Sequence, residues 1–126
     1  MKKIILILMF ILIFSSSVVY AGTPINITHT IDLGDGNMGN VFLYYIRDEF
    51  TKSNMFTIDK NSPFIMHVNT IQNCYNELSY SVIWVMKTKK GDIFLDSSLG
   101  RTGEGYYELH AQNVIATASE IINNYQ

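Results

Sequence analysis

The chain has 126 residues, 48% of them hydrophobic and 16% charged, and a formal net charge of −2. That length supports one hydrophobic core and not two, and the mildly acidic balance lacks the basic footprint that DNA, RNA or anionic lipid requires. Cys74 is the single cysteine, so no intrachain disulfide can brace the fold and the apolar core must hold it.

Met1-Lys2-Lys3 precedes an unbroken apolar run of 11 residues, Ile4 to Phe14, and then Ser15-Ser16-Ser17-Val18-Val19-Tyr20-Ala21-Gly22. A positive start, a short apolar segment and small residues at the end are the three parts of a secretory signal peptide. The run falls short of the ~18 residues expected of a spanning helix. Val19 and Ala21 fit the −3 and −1 positions, which predicts cleavage before Gly22. An uncleaved anchor, with Val18-Val19-Tyr20 prolonging the apolar segment, is the alternative, and the three serines and Ala21 weigh against it. No cysteine marks a lipoprotein at this point. Cleavage would leave 105 residues, with 7 basic against 11 acidic, and no stable membrane span.

Residues 22–38 form a glycine-rich amino-terminal segment in which Ile25, Ile27, Ile31 and Leu33 alternate with polar residues, a pattern open to a short strand. Phe42, Leu43, Ile46 and Phe50 then recur at the spacing of one helix face and predict a helix over 39–53, with Asn37 as its cap. Met55–Asp59 reads as a short strand, followed by a turn at Lys60-Asn61-Ser62-Pro63. Strands are predicted over 64–71, 79–87 and 93–99, joined by turns too short for a crossover and therefore antiparallel. Lys87, Lys89 and Lys90 mark a charged hairpin tip. Gly100–Gly105 breaks the strand pattern, and Tyr107, Ala111, Val114, Ala118, Ile121 and Tyr125 then step along one face of a helix over 106–124.

These elements predict an α+β fold with a small α+β domain at 39–126. It is expected to be a two-layer sandwich, mostly antiparallel, with both helices on one face, in the order helix, four strands, helix. Tyr80, Val82, Trp84 and Met86 give the central strand one strongly apolar face, with Trp84 at the centre of the core. Its other face carries Ser81, Ile83, Val85 and Lys87. Ile83 and Val85 are apolar enough to form a contact surface if that side is open.

No constellation organises a catalytic, cofactor or metal site. Gly34-Asp35-Gly36-Asn37-Met38-Gly39 matches G-x-G-x-x-G ahead of a helix, with Asp59 twenty residues on, but the strand–helix–strand repeats that complete a dinucleotide crevice are missing. Asp32, Asp35 and Asn37 have the wrong spacing for a calcium loop. His29, His67 and His110 include no close pair of zinc ligands. Roughly 20 Å of extended chain separates His67 from Cys74, too far for a nucleophile–base pair. Asp96-Ser97-Ser98 and Arg101-Thr102-Gly103-Glu104 read as polar strand ends. Seven tyrosines outlast cleavage, and such amphipathic rings suit contact surfaces.

The stretch YYIRDEFTKSNMFTID, Tyr44 to Asp59, resembles the helix-then-strand start of small periplasmic domains such as the TolB amino-terminal domain and its relatives among outer-membrane assembly lipoproteins. A strand meander ending in a long helix, Phe64–Tyr125, matches their order. The resemblance implies an envelope-associated, non-enzymatic binding module whose partner is another envelope or secreted protein, and it carries over no functional residue. Nothing in the pattern sets an oligomeric state. The competing expectation is an exported small-molecule or ion binder, or a minor hydrolase, with its site at Gly34–Gly39 and the facing strand ends.

Overall fold

The computed structural model describes residues 22–31, 37–73 and 76–125. The expected signal peptide at 1–21, residues 32–36 with Gly34-Asp35-Gly36 of the glycine motif, and Cys74 with Tyr75 lie outside the described residues. The elements in chain order are β1 (Thr23–Ile31), α1 (Met38–Lys52), β2 (Phe56–Ile58), β3 (Phe64–Gln72), β4 (Glu77–Thr88), β5 (Gly91–Gly103) and α2 (Tyr107–Tyr125). The strands form one sheet in the order β2-β1-β3-β4-β5.

This corrects the expected order and strand sense. The described chain enters the sheet on a strand, before the first described helix, and the sheet is mixed. β1 runs parallel to β2, with Thr23 opposite Phe56, and parallel to β3, with Ile27 opposite Met66. The cause is α1, which carries the chain back along the sheet so that β2 starts in the same direction as β1; parallel neighbours need such a crossover. The remaining pairs follow the short-turn argument. β3 and β4 are antiparallel, as are β4 and β5.

Both helices pack on the same face. Phe42, Ile46 and Phe50 of α1 and Tyr107, Ala111, Val114, Ala118 and Ile121 of α2 join Tyr80, Val82 and Trp84 in one core cluster. Trp84 is fully buried, as are Phe42 and Phe50. Ile25 and Ile27 of β1 complete this core beside Met66 and Val68. α1 is tied to β1 by Arg47, whose Nη2 donates to the Ile27 carbonyl at 3.3 Å. Asn37 occupies the N-cap position as the spacing predicts, but its side chain makes no capping bond there.

β5 runs through Gly100 and ends at Gly103, where the sequence suggested a break. Gly100 lies directly opposite Tyr80, and a Cβ at this position would overlap the Tyr80 ring. The glycine therefore makes room for an aromatic ring laid across the strand, and the ladder continues beneath it. Farther back, β4 and β5 are joined at the Lys89-Lys90 tip, where Gly91 takes φ +129°, a conformation that favours glycine. β5 also carries a register shift opposite Trp84/Val85, so that Val85 pairs with Phe94 and Trp84 with Asp96. Leu95 is the extra residue.

Candidate functional site

The side chains that alternate away from the helices build the outer face of the sheet. Reading across β3, β4 and β5, Ile65, Val85 and Phe94 share one row, His67, Ile83 and Ser97 the next, and Asn69, Ser81 and Leu99 a third. Neither described helix lies on this side. Ile83 and Val85 are half-buried there, while Phe94 is 63% and Leu99 85% exposed. Within the β4–β5 half, Ile83, Val85, Phe94 and Leu99 thus form an apolar strip, interrupted by Ser81 and Ser97 and flanked by the charged Lys87, Asp92 and Arg101.

The β1–β3 half is polar and internally bonded. Thr28 pairs with His67 Nδ1, and Asn69 Nδ2 donates to Ser81 Oγ at 3.3 Å. Near the β3–β4 turn, Asn73 Nδ2 donates to Ser79 Oγ at 2.6 Å and to Glu77 Oε1 at 3.0 Å. Hydrogen-bonded groups of this kind need no further partner, whereas exposed Phe94 and Leu99 leave apolar area in water. Alternation along β4 was enough to place Ile83 and Val85 on this face. Phe94 and Leu99 are five residues apart, and a regular strand would send them to opposite sides. The extra residue at Leu95 brings them to the same side, and no local sequence signal announces a bulge.

No family model matches this chain, and no curated protein matches it. Among solved structures the fold is similar to TolB from Acinetobacter baumannii, with a TM-score of 0.59 and 11% identity. That alignment covers 82% of this chain and 29% of that one, so the chain spans under a third of the length of that TolB. A hypothetical protein from Chlamydia trachomatis matches with a TM-score of 0.46 and 9% identity over 69% of this chain and 79% of the other. A minor lipoprotein from Acinetobacter baumannii matches with a TM-score of 0.24 and 11% identity, over 84% of this chain and 83% of the other. The resemblance to TolB-type envelope domains is a likeness of fold.

The other candidate residues fall at separate places. Of the glycine motif, Asn37 and Met38 line a cleft of about 380 Å³ together with Tyr45, Gln72 and Tyr107, and Gly39 is buried in the first turn of α1. The rings of Tyr45 and Tyr107 stack there at 5.7 Å. The three histidines do not meet. His29 Nε2 bonds Thr70 Oγ1 at 3.1 Å on the helix side, His67 lies on the outer face, and His110 bonds Tyr80 OH through Nδ1 at 2.8 Å. Among the described residues no three His, Cys, Asp or Glu side chains converge on a point that could hold a metal ion. Asp96 uses its Oδ1 to accept the Ser97 backbone N–H at 2.7 Å. Arg101 Nη1 lies 3.8 Å from Glu77 Oε1, an exposed pair that contributes little. No described helix is long and apolar enough to cross a membrane.

Burial pushes the Tyr80 phenol above its ordinary value. Tyr107 is raised too, first by burial and then by the nearby Glu104 charge and Tyr45. A raised phenol means that the folded state favours the neutral ring. The stability this brings is complete below the ordinary phenol range of about 10 and is lost as pH climbs through the folded-state value. Urea unfolding at stepped pH is expected to show stability falling above about pH 10, with a shallower fall in Tyr80→Phe. At neutral pH that variant should lose about 1 kcal/mol with the His110 bond.

Proposed function

We propose that the mature chain is an exported, non-enzymatic module of the cell envelope that binds another envelope or secreted protein through the outer face of its sheet, around Ile83 and Val85. The observation that carries this reading is the apolar strip of Ile83, Val85 and Phe94 on a side that neither described helix covers. The amino-terminal leader and the fold likeness to TolB support the placement in the envelope. An apolar strip flanked by charged residues, beside a hydrogen-bonded polar region, suits a partner that brings its own apolar surface to the strip and polar groups or water to its rim.

A photo-reactive residue placed at Ile83 tests this in intact envelopes, with the same residue at the exposed helix position Gln112 as control. A discrete adduct from position 83, absent from position 112 and lost in an added Val85→Ser background, is expected. Equal labelling from both positions, or none from 83, would overturn the reading. Ile83→Ser is expected to leave the urea midpoint within about 1 kcal/mol of the parent while weakening the adduct. The cleft beside Asn37, Met38 and Tyr107 is what favours the second reading, a small-molecule or ion binder. Under that reading a metal, nucleotide or sugar would raise the melting temperature in proportion to its saturation.

A further inference from the structure

The sheet ends in two unlike edges. At one end β2 offers three residues, and at the other β5 offers thirteen, Gly91 to Gly103, with β4 on one side and no described strand on the other. Short edge strands, prolines, charged residues (lysine above all) and bulges are the usual protection against edge pairing, and of these β5 has the Leu95 bulge and the charges of Asp92, Asp96 and Arg101. β5 contains neither Pro nor Lys, and it exposes Ile93, Phe94 and Leu99. Such an edge is a template for another strand.

The identity of that strand follows from the register. Partners of outer-face residues on β4 show that Asp92, Phe94, Ser97, Leu99 and Arg101 of β5 point to the outer face, opposite Lys87, Val85, Ile83, Ser81 and Ser79 respectively. Four of the five, all but Ser97, are symmetric about a point between Asp96 and Ser97; Ser97 falls opposite Asp96, which faces the helices beside Trp84, so the ladder is interrupted at the axis and pairs on either side of it. When β5 is laid antiparallel on a second β5 about a two-fold axis at that point, normal to the sheet, Asp92 stands opposite Arg101 of the second copy. Phe94 stands opposite Leu99 of the second copy. The symmetry repeats both pairs on the other side of the axis.

Acid meets base twice and apolar meets apolar twice, on one face. Cross-strand pairs of these kinds are what stabilise antiparallel neighbours. The bulge at Leu95 makes the match, since residues 94 and 99 share a face only because one residue is inserted between them. We infer that the protein forms a two-fold homodimer by antiparallel pairing of its β5 edges, joining two five-stranded sheets into one of ten strands. The two apolar strips become continuous across the axis, because Phe94 and Leu99 lie on the same side as Ile83 and Val85. One feature opposes association. Asp96 of each copy lies beside the axis, so two carboxylates approach there and keep the dimer from being tight.

Pairing of β5 edges needs only the purified protein and no envelope partner. The chain, expressed in full and purified as it is processed, would be followed by sedimentation over a wide concentration range. A monomer–dimer equilibrium is expected. Arg101→Glu and Asp92→Arg should each weaken it about tenfold, as two attractive pairs become repulsive. The double variant carrying both changes should regain most of the loss, because each pair again joins opposite charges, and a merely structural role for either residue would give no such recovery. Asp96→Asn should strengthen the dimer.

Register is read separately, in a Cys74→Ser background. Phe94→Cys and Leu99→Cys chains mixed under copper-phenanthroline oxidation should give a 94–99 disulfide between copies, while Phe94→Cys alone should give almost none. A chain that stays monomeric at every concentration overturns the inference. So does a dimer that links position 94 to 94, or one whose charge-swapped double variant stays as weak as the single ones.

Discussion

Trp84→Ala is expected to cost about 3–5 kcal/mol, a large share of the roughly 5–15 kcal/mol that holds a domain of this kind folded. Trp84 is the sole tryptophan. It is completely buried on β4, paired with Met66 of β3 and Asp96 of β5, in the same core as α1 and α2. An alanine there leaves a void that cannot collapse without moving the sheet or the helices, so the transfer loss and the cavity loss add. The urea midpoint should drop by more than about 1 M at ordinary denaturant slopes.

Trp84→Phe should cost far less, about 1.5 kcal/mol or under. The indole Nε1 is buried and has no hydrogen-bond partner among the described residues. Phenylalanine keeps most of the apolar volume and removes a donor whose burial is itself unfavourable. A phenylalanine variant as unstable as the alanine one would show that Nε1 is bonded in solution and that the indole, beyond its bulk, holds the core together.

What was legible in the sequence follows from how local each cause is. Trp84 could be placed at the centre because Tyr80, Val82, Trp84 and Met86 alternate strictly, and α1 and α2 because their apolar residues recur at three- and four-residue intervals. Both are properties of a window of a dozen residues. The same alternation marked Ile83 and Val85 for the outer face, where they are found. The partner of β1 could not be read this way. Ile25 and Ile27 show that a strand is feasible, yet whether it joins the sheet, and in which direction, depends on where α1 delivers the chain. The β5 bulge belongs to the same class, since two residues on one strand facing one on the next is a relation between strands. Gly100 shows the converse error. The stretch Gly100–Gly105 reads as a break, yet Gly100 is a strand position whose space is filled by the Tyr80 ring of a neighbouring strand.

Removing residues 22–38 is expected to abolish cooperative folding of the remainder, although 39–126 retains both helices and four of the five strands. β1 lies inside the sheet, between β2 and β3, and each of its edges is in use. On one side it pairs with β3 from Asn26 opposite Ile65 to Ile31 opposite Thr70. On the other it holds β2, whose three residues have no other described strand to pair with. The Asp59 N–H donates to the Ile25 carbonyl at 2.8 Å, and Ser62 Oγ donates to the Pro24 carbonyl at 2.8 Å. Without β1 these donors and the inner edge of β3 would face water or go unpaired. The side-chain loss is as large. Ile25 is fully buried and Ile27 nearly so, and losing either to alanine would cost about 2–5 kcal/mol. The sum of two such losses and a strand's worth of ladder reaches the whole stability of a small domain. Far-UV circular dichroism and urea titration of the 39–126 fragment should show residual helix and no sharp transition, beside a cooperative transition in the full chain. A fragment that unfolds cooperatively, at a midpoint near that of the full chain, would mean that β1 is an appendage and that the core closes through α1, α2 and the β3–β5 meander alone.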